Sequence, residues 1–435
     1  MAEWAVVYIG ACLLGWALIE KRFASTMVTG PMVFLALGLL AGSKGLGIIE
    51  LGSGDAGVVI DVVLQVTLAL LLFTDAASLH PSSWRKDAAL PARLLGIGLP
   101  LTIGVGWLIA TLLFDGLGIW EAAIIGAIVA PTDAALGKAV ISNPRVPERI
   151  RTGLDVESGL NDGVSLPFIL LFIGFGEDGV DTSAIVATFV DAIGIAVVIG
   201  AGVALVAGWL LIRAAAAGWM SPTWHRIAMV AVALIAFAAA DQLGGSGFIS
   251  CFVGGLTFGG LTRSRLATEE VLADDLGSAG VQVSFLLIGA VLVGPALDAA
   301  TWQVWVMAVL ALTVARMGPV ALCLIGTGFR PPTVAYLGWF GPRGLATIVF
   351  AVLVVNESDL AGTSLIVTVC TITVTLSVYV HGLSAAPGAR RYADWYQSHP
   401  DQADLNEAEP LSQHPERARL HDATRIDSPA PKGDQ

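Results

Sequence analysis

The segment Leu154–Pro167 contains the densest group of polar side chains within an apolar stretch of this sequence. Residues four apart lie on one face of a helix, so Ser158 is placed over Asp162, and Glu157 over Asn161 on a neighbouring stripe. The Ser158/Asp162 face offers a hydroxyl and a carboxylate, which are hard oxygen ligands suited to a small alkali cation. The Glu157/Asn161 face offers an acid that needs a cationic partner and an amide that can hydrogen-bond to backbone groups at a helix break.

Other ionisable residues also fall inside apolar stretches, where a charge is costly and usually functional. The full set at this depth is Asp75, Asp133, Asp155, Glu157, Asp162, Asp191, Arg316 and Arg343. Arg316 is the natural partner for Glu157, because each would otherwise remain uncompensated within one helix bundle. A purely structural polar network could use the same residues, but it would leave Asp162 and Asp133 without a cation to balance them.

The elements that position these side chains must lie in a membrane. Of the 435 residues, 55% are hydrophobic and only 13% are charged, and the mean hydropathy is +0.78. Such a composition would not stay soluble as a globular domain. Apolar stretches of about 20 residues, enough to cross a bilayer, recur along the chain up to about residue 388. We therefore predict an all-α polytopic membrane protein with about thirteen transmembrane helices.

The spans can be grouped into two repeats of six. Repeat one covers about residues 4–175, a connector helix covers 183–212, and repeat two covers about 227–383. The connector inverts the second repeat relative to the first, which is an arrangement typical of secondary transporters. Residues 1–388 then form the transmembrane domain, and we expect the polar tail, residues 389–435, to be disordered and cytoplasmic.

Spans 5 and 12, the fifth members of the two repeats, are interrupted at their middle by proline and glycine. Span 5 contains Ala130-Pro131-Thr132-Asp133, and span 12 contains Gly341-Pro342-Arg343-Gly344. Discontinuous helices in corresponding positions indicate a substrate site near the bilayer midplane. Ordinary proline kinks are the alternative, but the charged residue beside each break favours a site and two crossed discontinuous helices.

The positive charges alternate between loops. The basic loops contain Lys21/Arg22, Arg85/Lys86/Arg93, Lys138/Arg145/Arg149/Arg151, Arg213/Arg226, Arg263/Arg265, Arg330 and Arg390/Arg391. The opposite loops contain Lys44 and otherwise acidic or neutral stretches. By the positive-inside rule, we predict a multi-pass protein of the cell (inner) membrane with its N-terminus outside and its C-terminus cytoplasmic.

The sequence gives no sign of a cofactor. Its four cysteines occur singly in apolar runs, which does not indicate a disulfide framework or a cysteine metal site. Its glycine-rich stretches lie inside predicted spans and lack the strand context of a nucleotide-binding motif. We expect the lipid bilayer and small ions as partners, and no nucleic acid.

The stretch Glu157-Ser158-Gly-Leu-Asn161-Asp162-Gly resembles the ExxxND signature of Na⁺/H⁺ exchangers in the monovalent cation:proton antiporter-1 family. Ala130-Pro-Thr-Asp133, Gly244–Phe248, the Arg316 span and Gly341–Gly344 are similar to further family elements in the same order. This resemblance covers about residues 5–385. It implies a thirteen-span homodimer in which a core domain with crossed helices moves against a dimerisation domain.

The same resemblance implies a cation and proton site. The residues that would form it are Asp162, Asp133, Ser158 and the Thr132 carbonyl, with Asp75 near an outer acidic position. Glu157, Asn161, Arg316 and Arg343 would serve structure or offset the dipoles of the half-helices. No catalytic residue is implied, since such a protein is a secondary transporter and not an enzyme.

The chemistry of these residues agrees with this implication. A carboxylate at the midplane loses hydration, so a proton and Na⁺ or Li⁺ would compete to neutralise Asp162, and only a neutral site would cross easily between inward-facing and outward-facing states. Asn161 stands where a second carboxylate could stand, which suggests that one cation is exchanged for one proton.

Three rival functions use the same features. The first two are a K⁺/H⁺ antiporter or K⁺ efflux protein, and a Na⁺-coupled solute symporter. The third is an intramembrane protease, because Gly244-Gly-Ser246-Gly247 matches GxSG. A protease serine needs a nearby histidine, and His381 is predicted about a membrane thickness away. We therefore exclude the protease.

Overall fold

The computed structural model describes residues 2–23, 26–49, 55–78, 89–133, 136–141, 143–177, 182–262, 271–399 and 405–408. Every regular element within these ranges is helical. The all-α prediction is therefore confirmed. Several residues used for the charge asymmetry, namely Arg85, Lys86, Arg263 and Arg265, lie outside the described residues, as does the predicted tail beyond Ala408.

The first half of the chain forms α1 Ala2–Phe23, α2 Gly30–Ala41, α3 Asp55–Ser78, α4 Ala89–Leu113, α5 Ile119–Ile128, α6 Lys138–Ile141, α7 Glu148–Gly176 and α8 Thr182–Ala216. The second half forms α9 Pro222–Gln242, α10 Gly247–Thr262, α11 Val271–Ile288, α12 Gly294–Ala299, α13 Trp302–Leu312, α14 Val314–Cys323, α15 Pro331–Trp339, α16 Leu345–Glu357 and α17 Thr363–Gln397. Single π-helical turns interrupt α4 at Leu94–Gly98 and join α11 to α12 at Gly289–Val293.

Within the described residues, eight helical stretches are long and apolar enough to cross a bilayer. They are Glu3–Phe23, Ile60–Ser78, Ala89–Leu113, Glu148–Gly176, Thr182–Ala216, Asp275–Ala299, Trp302–Cys323 and Thr363–Gln397. Shorter apolar helices accompany them at α2, α5, α10 and α16. The chain is thus a multi-pass integral membrane protein, whereas the count of thirteen spans stays a prediction.

Small residues allow the helices outside the interrupted region to pack closely. A β-carbon at Gly38 in α2 would overlap the Leu286 carbonyl of α11, and one at Gly255 in α10 would overlap the Phe73 carbonyl of α3. In a membrane, such backbone-to-backbone approach replaces the hydrophobic effect as a source of helix association. These contacts build an apolar scaffold beside the interrupted helices.

The two predicted helix interruptions are present. Helix α5 ends at Ile128 and the chain is non-helical from Ala130 to Asp133, while the residues from Phe340 to Gly344 separate α15 from α16. Pro131 and Pro342 lack an N–H group and disfavour helical geometry in the preceding residue, so each helix stops before its proline. Every residue from Gly341 to Gly344 is buried.

Helical structure continues past residue 389, where the sequence predicts the polar tail to begin. Helix α17 continues to Gln397, and Tyr392 and Ala393 are buried in it, because Tyr392 stacks on Tyr336 of α15. A later piece, Leu405–Ala408, also packs against the helices. There Glu407 is 1% exposed and accepts hydrogen bonds from the Arg330 N–H at 2.9 Å and the Thr333 hydroxyl at 2.7 Å. These residues were expected to be disordered and instead hold the first turn of α15.

Candidate functional site

The two interruptions are hydrogen-bonded to each other. The Asp133 N–H donates to the Pro342 carbonyl at 2.8 Å, and the Leu345 N–H donates to Asp133 Oδ2 at 3.0 Å. Leu345 begins α16, so the Asp133 carboxylate lies at a helix N-terminus, where negative charge is favoured. Gly344 is needed for this approach, because a β-carbon there would overlap the carboxylate.

Arg343 performs the reciprocal function. Its guanidinium is fully buried and donates to the carbonyl of Ala130, to that of Pro131 at 2.9 Å and to that of Ala311 at 3.4 Å. The first two carbonyls follow the C-terminus of α5, where the helix dipole favours positive charge. Asp133 and Arg343 thus each place a charged group at a helix end whose dipole favours that charge.

Helix α7 approaches the first interruption at Thr132. The hydroxyls of Thr132 and Ser158 lie 3.0 Å apart, and Asn161 Nδ2 donates to Thr132 Oγ1 at 2.6 Å. All three side chains are buried. Asn161 was expected to bond backbone groups freed at the break, but its amide donates to the Thr132 hydroxyl instead. The Thr132 side chain at the break points toward α7 and so lies within reach of Asn161.

Asp162 is half-buried, one residue beyond Asn161 on α7. Among the described residues, its Oδ1 atom is shielded from solvent and has no hydrogen-bond partner. The carboxylates of Asp133 and Asp75 lie close enough to interact with it electrostatically. Asp75 in α3 packs beside Gly159, one helical turn before Asp162. Asp75, Asp133 and Asp162, which lie far apart in the sequence, thus lie near one another in the fold.

Glu157 and Arg316 form the buried ion pair that the sequence predicts. Their exposed fractions are 2% and 3%. Both guanidinium Nη atoms donate to the carboxylate, and the Nη2 to Oε2 distance is 2.8 Å. Arg316 also donates to the Leu337 carbonyl at 3.4 Å, near the end of α15. The pair therefore ties α7 to the second interrupted helix.

Two of the ionisable residues at predicted membrane depth lie elsewhere. Asp155 and Asp191 are on exposed helix faces. Ser246, the serine of the GxSG match, accepts from the Ile249 N–H at 3.4 Å at the start of α10, as a helix-capping residue does. No group of three His, Cys, Asp or Glu side chains in the described residues could by itself hold a metal ion.

Sequence reasoning missed three buried polar residues. Glu121 accepts from the N–H groups of Gly118 and Gly362, each at 2.7 Å, and so joins the starts of α5 and α17. Its position three residues after Gly118 is that of a capping glutamate, which was a usable signal. Ser377 and His381 of α17 contact the second interruption. Their sequence context gave no such signal.

These features define a polytopic membrane protein whose polar site lies where two interrupted helices meet. The family model described as sodium/hydrogen exchanger, transmembrane, matches residues 9–391, and the chain belongs to this family. The resemblance drawn from the ExxxND-like stretch is thereby confirmed.

Curated relatives and solved structures agree with this assignment. The chain is 27% identical over 380 residues to the K(+)/H(+) antiporter NhaP of Alkalimonas amylolytica, covering 86% of this chain and 63% of that one. It is also 27% identical over 392 residues to the K(+)/H(+) antiporter NhaP2 of Shewanella oneidensis, covering 88% and 66%. The chain thus spans about two thirds of the length of these relatives.

The fold is similar to that of the sodium proton antiporter MjNhaP1 from Methanocaldococcus jannaschii. The TM-score is 0.71 at 21% sequence identity, and the match covers 94% of this chain and 99% of the other.

Proposed function

We propose that this chain is a secondary active antiporter that exchanges Na⁺ or Li⁺ for H⁺, with the cation and the proton competing for Asp162. The observation that carries the proposal is the Asp162 Oδ1 atom, which is shielded from solvent and has no hydrogen-bond partner within the described residues. A buried carboxylate oxygen in that state is stabilised by a proton or by a cation. Membership of the sodium/hydrogen exchanger family supports the same function.

In this mechanism the cation is held by oxygen atoms from two elements. Asp162 and Ser158 contribute from α7, and Asp133 and Thr132 contribute from the first interruption, while Asp75 adds negative charge from α3. Alkali cations prefer such hard oxygen ligands. Occupancy by either ligand neutralises Asp162, and the neutral site then moves between inward-facing and outward-facing states.

Purified protein in liposomes that contain a pH-sensitive dye tests this proposal. Asp162→Asn should remain folded but reduce Na⁺-dependent proton movement to less than about a tenth of wild type, since it removes the group that exchanges. Asp191→Asn is the matched control, because Asp191 lies on an exposed face of α8. Wild-type exchange by Asp162→Asn would refute the role of Asp162.

Exchange of K⁺ for H⁺ is the second candidate, and the names of the relatives from Alkalimonas amylolytica and Shewanella oneidensis favour it. The two candidates differ only in which cation the oxygen atoms of the site would bind. Proton movement driven by equal concentrations of NaCl, LiCl and KCl separates them. Our proposal expects responses to Na⁺ and Li⁺, whereas a response to K⁺ alone would replace it with the second candidate.

We propose a stoichiometry of one cation per proton, because the neutral Asn161 stands beside Asp162 and is engaged with Thr132. The exchange equilibrium should then be the same with the membrane potential clamped at zero and at a strongly negative value. If one net charge moved per cycle, the potential would bias accumulation by about 2.3 kcal/mol per 100 mV. A shift of that size would show that a second proton is carried.

The proposal includes a homodimer in the cell (inner) membrane with the N-terminus outside. The orientation rests on the distribution of basic loops. In a cysteine-free background, Lys44→Cys should react with a membrane-impermeant maleimide in intact cells, and Arg391→Cys should not. The reverse labelling pattern would show that the topology is opposite to the one proposed. Light scattering of the detergent-solubilised protein would test the dimer.

A further inference from the structure

Two buried residues of α17 hold the second interruption. The Arg343 backbone N–H donates to Ser377 Oγ at 2.6 Å, and His381 Nε2 lies 3.1 Å from the Trp339 carbonyl. Ser377 Oγ and His381 Nδ1 are 3.1 Å apart. Ser377 is fully buried and His381 is 1% exposed. These contacts join the last residue of α15 to the residue that carries the buried guanidinium.

The directions of these hydrogen bonds follow from the chemistry of the groups. The Trp339 carbonyl can only accept, so His381 Nε2 carries a hydrogen. In the neutral ring, Nδ1 then accepts from the Ser377 hydroxyl, whose oxygen accepts from the Arg343 N–H. Nδ1 also lies 3.2 Å from the Ser377 carbonyl, but with the ring hydrogen on Nε2 that contact carries no hydrogen bond. In this tautomer one continuous chain of hydrogen bonds runs from the Arg343 N–H through Ser377 and His381 to the Trp339 carbonyl.

We propose that Ser377 and His381 are positioning residues for cation exchange. They act through Arg343 and do not touch the ion. An interrupted helix exposes backbone groups that no turn of its own satisfies. Ser377 satisfies one of them, the Arg343 N–H, and His381 adds a second donor to the Trp339 carbonyl, which also accepts from the Gly341 N–H at 2.9 Å. These contacts fix the backbone from which the Arg343 side chain reaches the first interruption. Displacement of that backbone would move Asp133 through its contacts with Pro342 and Leu345.

This inference deepens the proposed function and rests on it for its transport readout. The test compares Ser377→Ala and His381→Phe, which remove the hydrogen bonds, with Ser377→Thr, which keeps a hydroxyl. His381→Gln keeps a donor near the Nε2 position, and His381→Asn keeps an acceptor near the Nδ1 position. Ser384→Ala is the control, because Ser384 is on the same helix and bonds the Trp339 side chain at 3.0 Å, not its backbone.

Two measurements decide the outcome. Ser377→Ala and His381→Phe should raise the apparent KM for the cation about tenfold, because a small misplacement of the site weakens binding. Hydrogen–deuterium exchange at the amides of Gly341, Arg343, Gly344 and Leu345 should become about tenfold faster in the same variants. The Arg343 N–H loses its acceptor in Ser377→Ala, and the backbone at Trp339 loses a contact in His381→Phe. Ser377→Thr should restore both quantities, His381→Gln and His381→Asn should each restore part of them, and Ser384→Ala should change neither.

The results separate this inference from the proposed function. Wild-type KM and wild-type amide exchange in Ser377→Ala and His381→Phe would overturn the positioning role. Loss of folded protein with an unchanged KM for the remaining fraction would also overturn it, since the residues would then serve stability alone. If wild type itself exchanges no cation, the proposed function fails, and unchanged amide exchange would still overturn the positioning contacts.

Discussion

The two helix interruptions are similar in sequence and differ in what supports them. Each contains a proline and a charged residue, and each caps the other through Asp133 and Arg343. The first interruption is further held by Ser158 and Asn161, which belong to the helix that carries Asp162. Ser377 and His381, which are remote from the three acids in sequence and lie on a different helix, hold the second.

This difference suggests a division of labour. Support from α7 couples the first interruption to occupancy of the site, because Thr132 shares its hydroxyl with residues beside Asp162. In the proposed mechanism, the contacts from α17 would not change with occupancy, so the second interruption would serve as a fixed reference.

Loss of Arg343 should have the largest effect on this arrangement. Arg343→Met leaves the Ala130 and Pro131 carbonyls without their buried donor, which should cost about 3 kcal/mol or more and abolish exchange. Thermal melts and proteoliposome transport measure the two effects. Arg213→Met is the control, because that guanidinium only packs over Trp209 at 4.7 Å. Equal melts for both variants would show that the two interruptions do not depend on each other.

The Glu157–Arg316 pair ties α7 to the end of α15, beside the second interruption. Glu157→Gln and Arg316→Met should each cost about 3–5 kcal/mol, because each leaves a buried charge uncompensated. The double variant should recover much of that loss. Thermal melts of the two single variants and the double variant form a cycle that isolates the pairwise energy. Additive losses would contradict a contact between the two side chains.

Removal of the Thr132 hydroxyl should affect the first interruption and not the second. Thr132→Val should leave the fold intact but raise the apparent KM for the cation about tenfold, because Asn161 and Ser158 lose a shared partner. Thr132→Ser keeps the hydroxyl and should behave as wild type. Transport titrations with Na⁺ measure the effect. An unchanged KM in Thr132→Val would show that the Thr132 hydroxyl does not contribute to cation binding.

The smallest effect is expected at the start of α15. Glu407→Gln keeps an oxygen for the Arg330 N–H and Thr333 hydroxyl but removes the charge, so it should cost about 1–2 kcal/mol with little change in KM. Glu407→Ala removes the acceptor and should cost more. Melting temperatures of the two variants measure this. A large rise in KM would mean that the docked segment takes part in exchange.

Much of the architecture was predictable because the bilayer restricts what a chain can do. Apolar stretches must be helices when their backbone has no water to bond, so composition alone led to an all-α membrane protein. Both interruptions could be located from the sequence, because proline lacks the backbone N–H that the interior of a helix needs. The cost of a lone buried charge led to the pairing of Glu157 with Arg316, which the structure contains.

Contacts between distant segments could not be predicted in the same way. Four buried polar residues have partners that lie 34 to 241 positions away in the sequence, namely Glu121, Ser377, His381 and Glu407. No helical period or local motif relates such positions.

The sequence by itself determined that carboxylates, a serine and a threonine stand beside breaks in membrane helices, because residue type and local geometry are properties of a short segment. Only the tertiary structure decided which atoms meet. It turned Asn161 toward a hydroxyl, left Asp162 Oδ1 without a hydrogen-bond partner among the described residues, and seated α17 behind the second interruption. Those outcomes depend on how whole helices pack, and close packing leaves each buried polar group to find its partner in the space that remains.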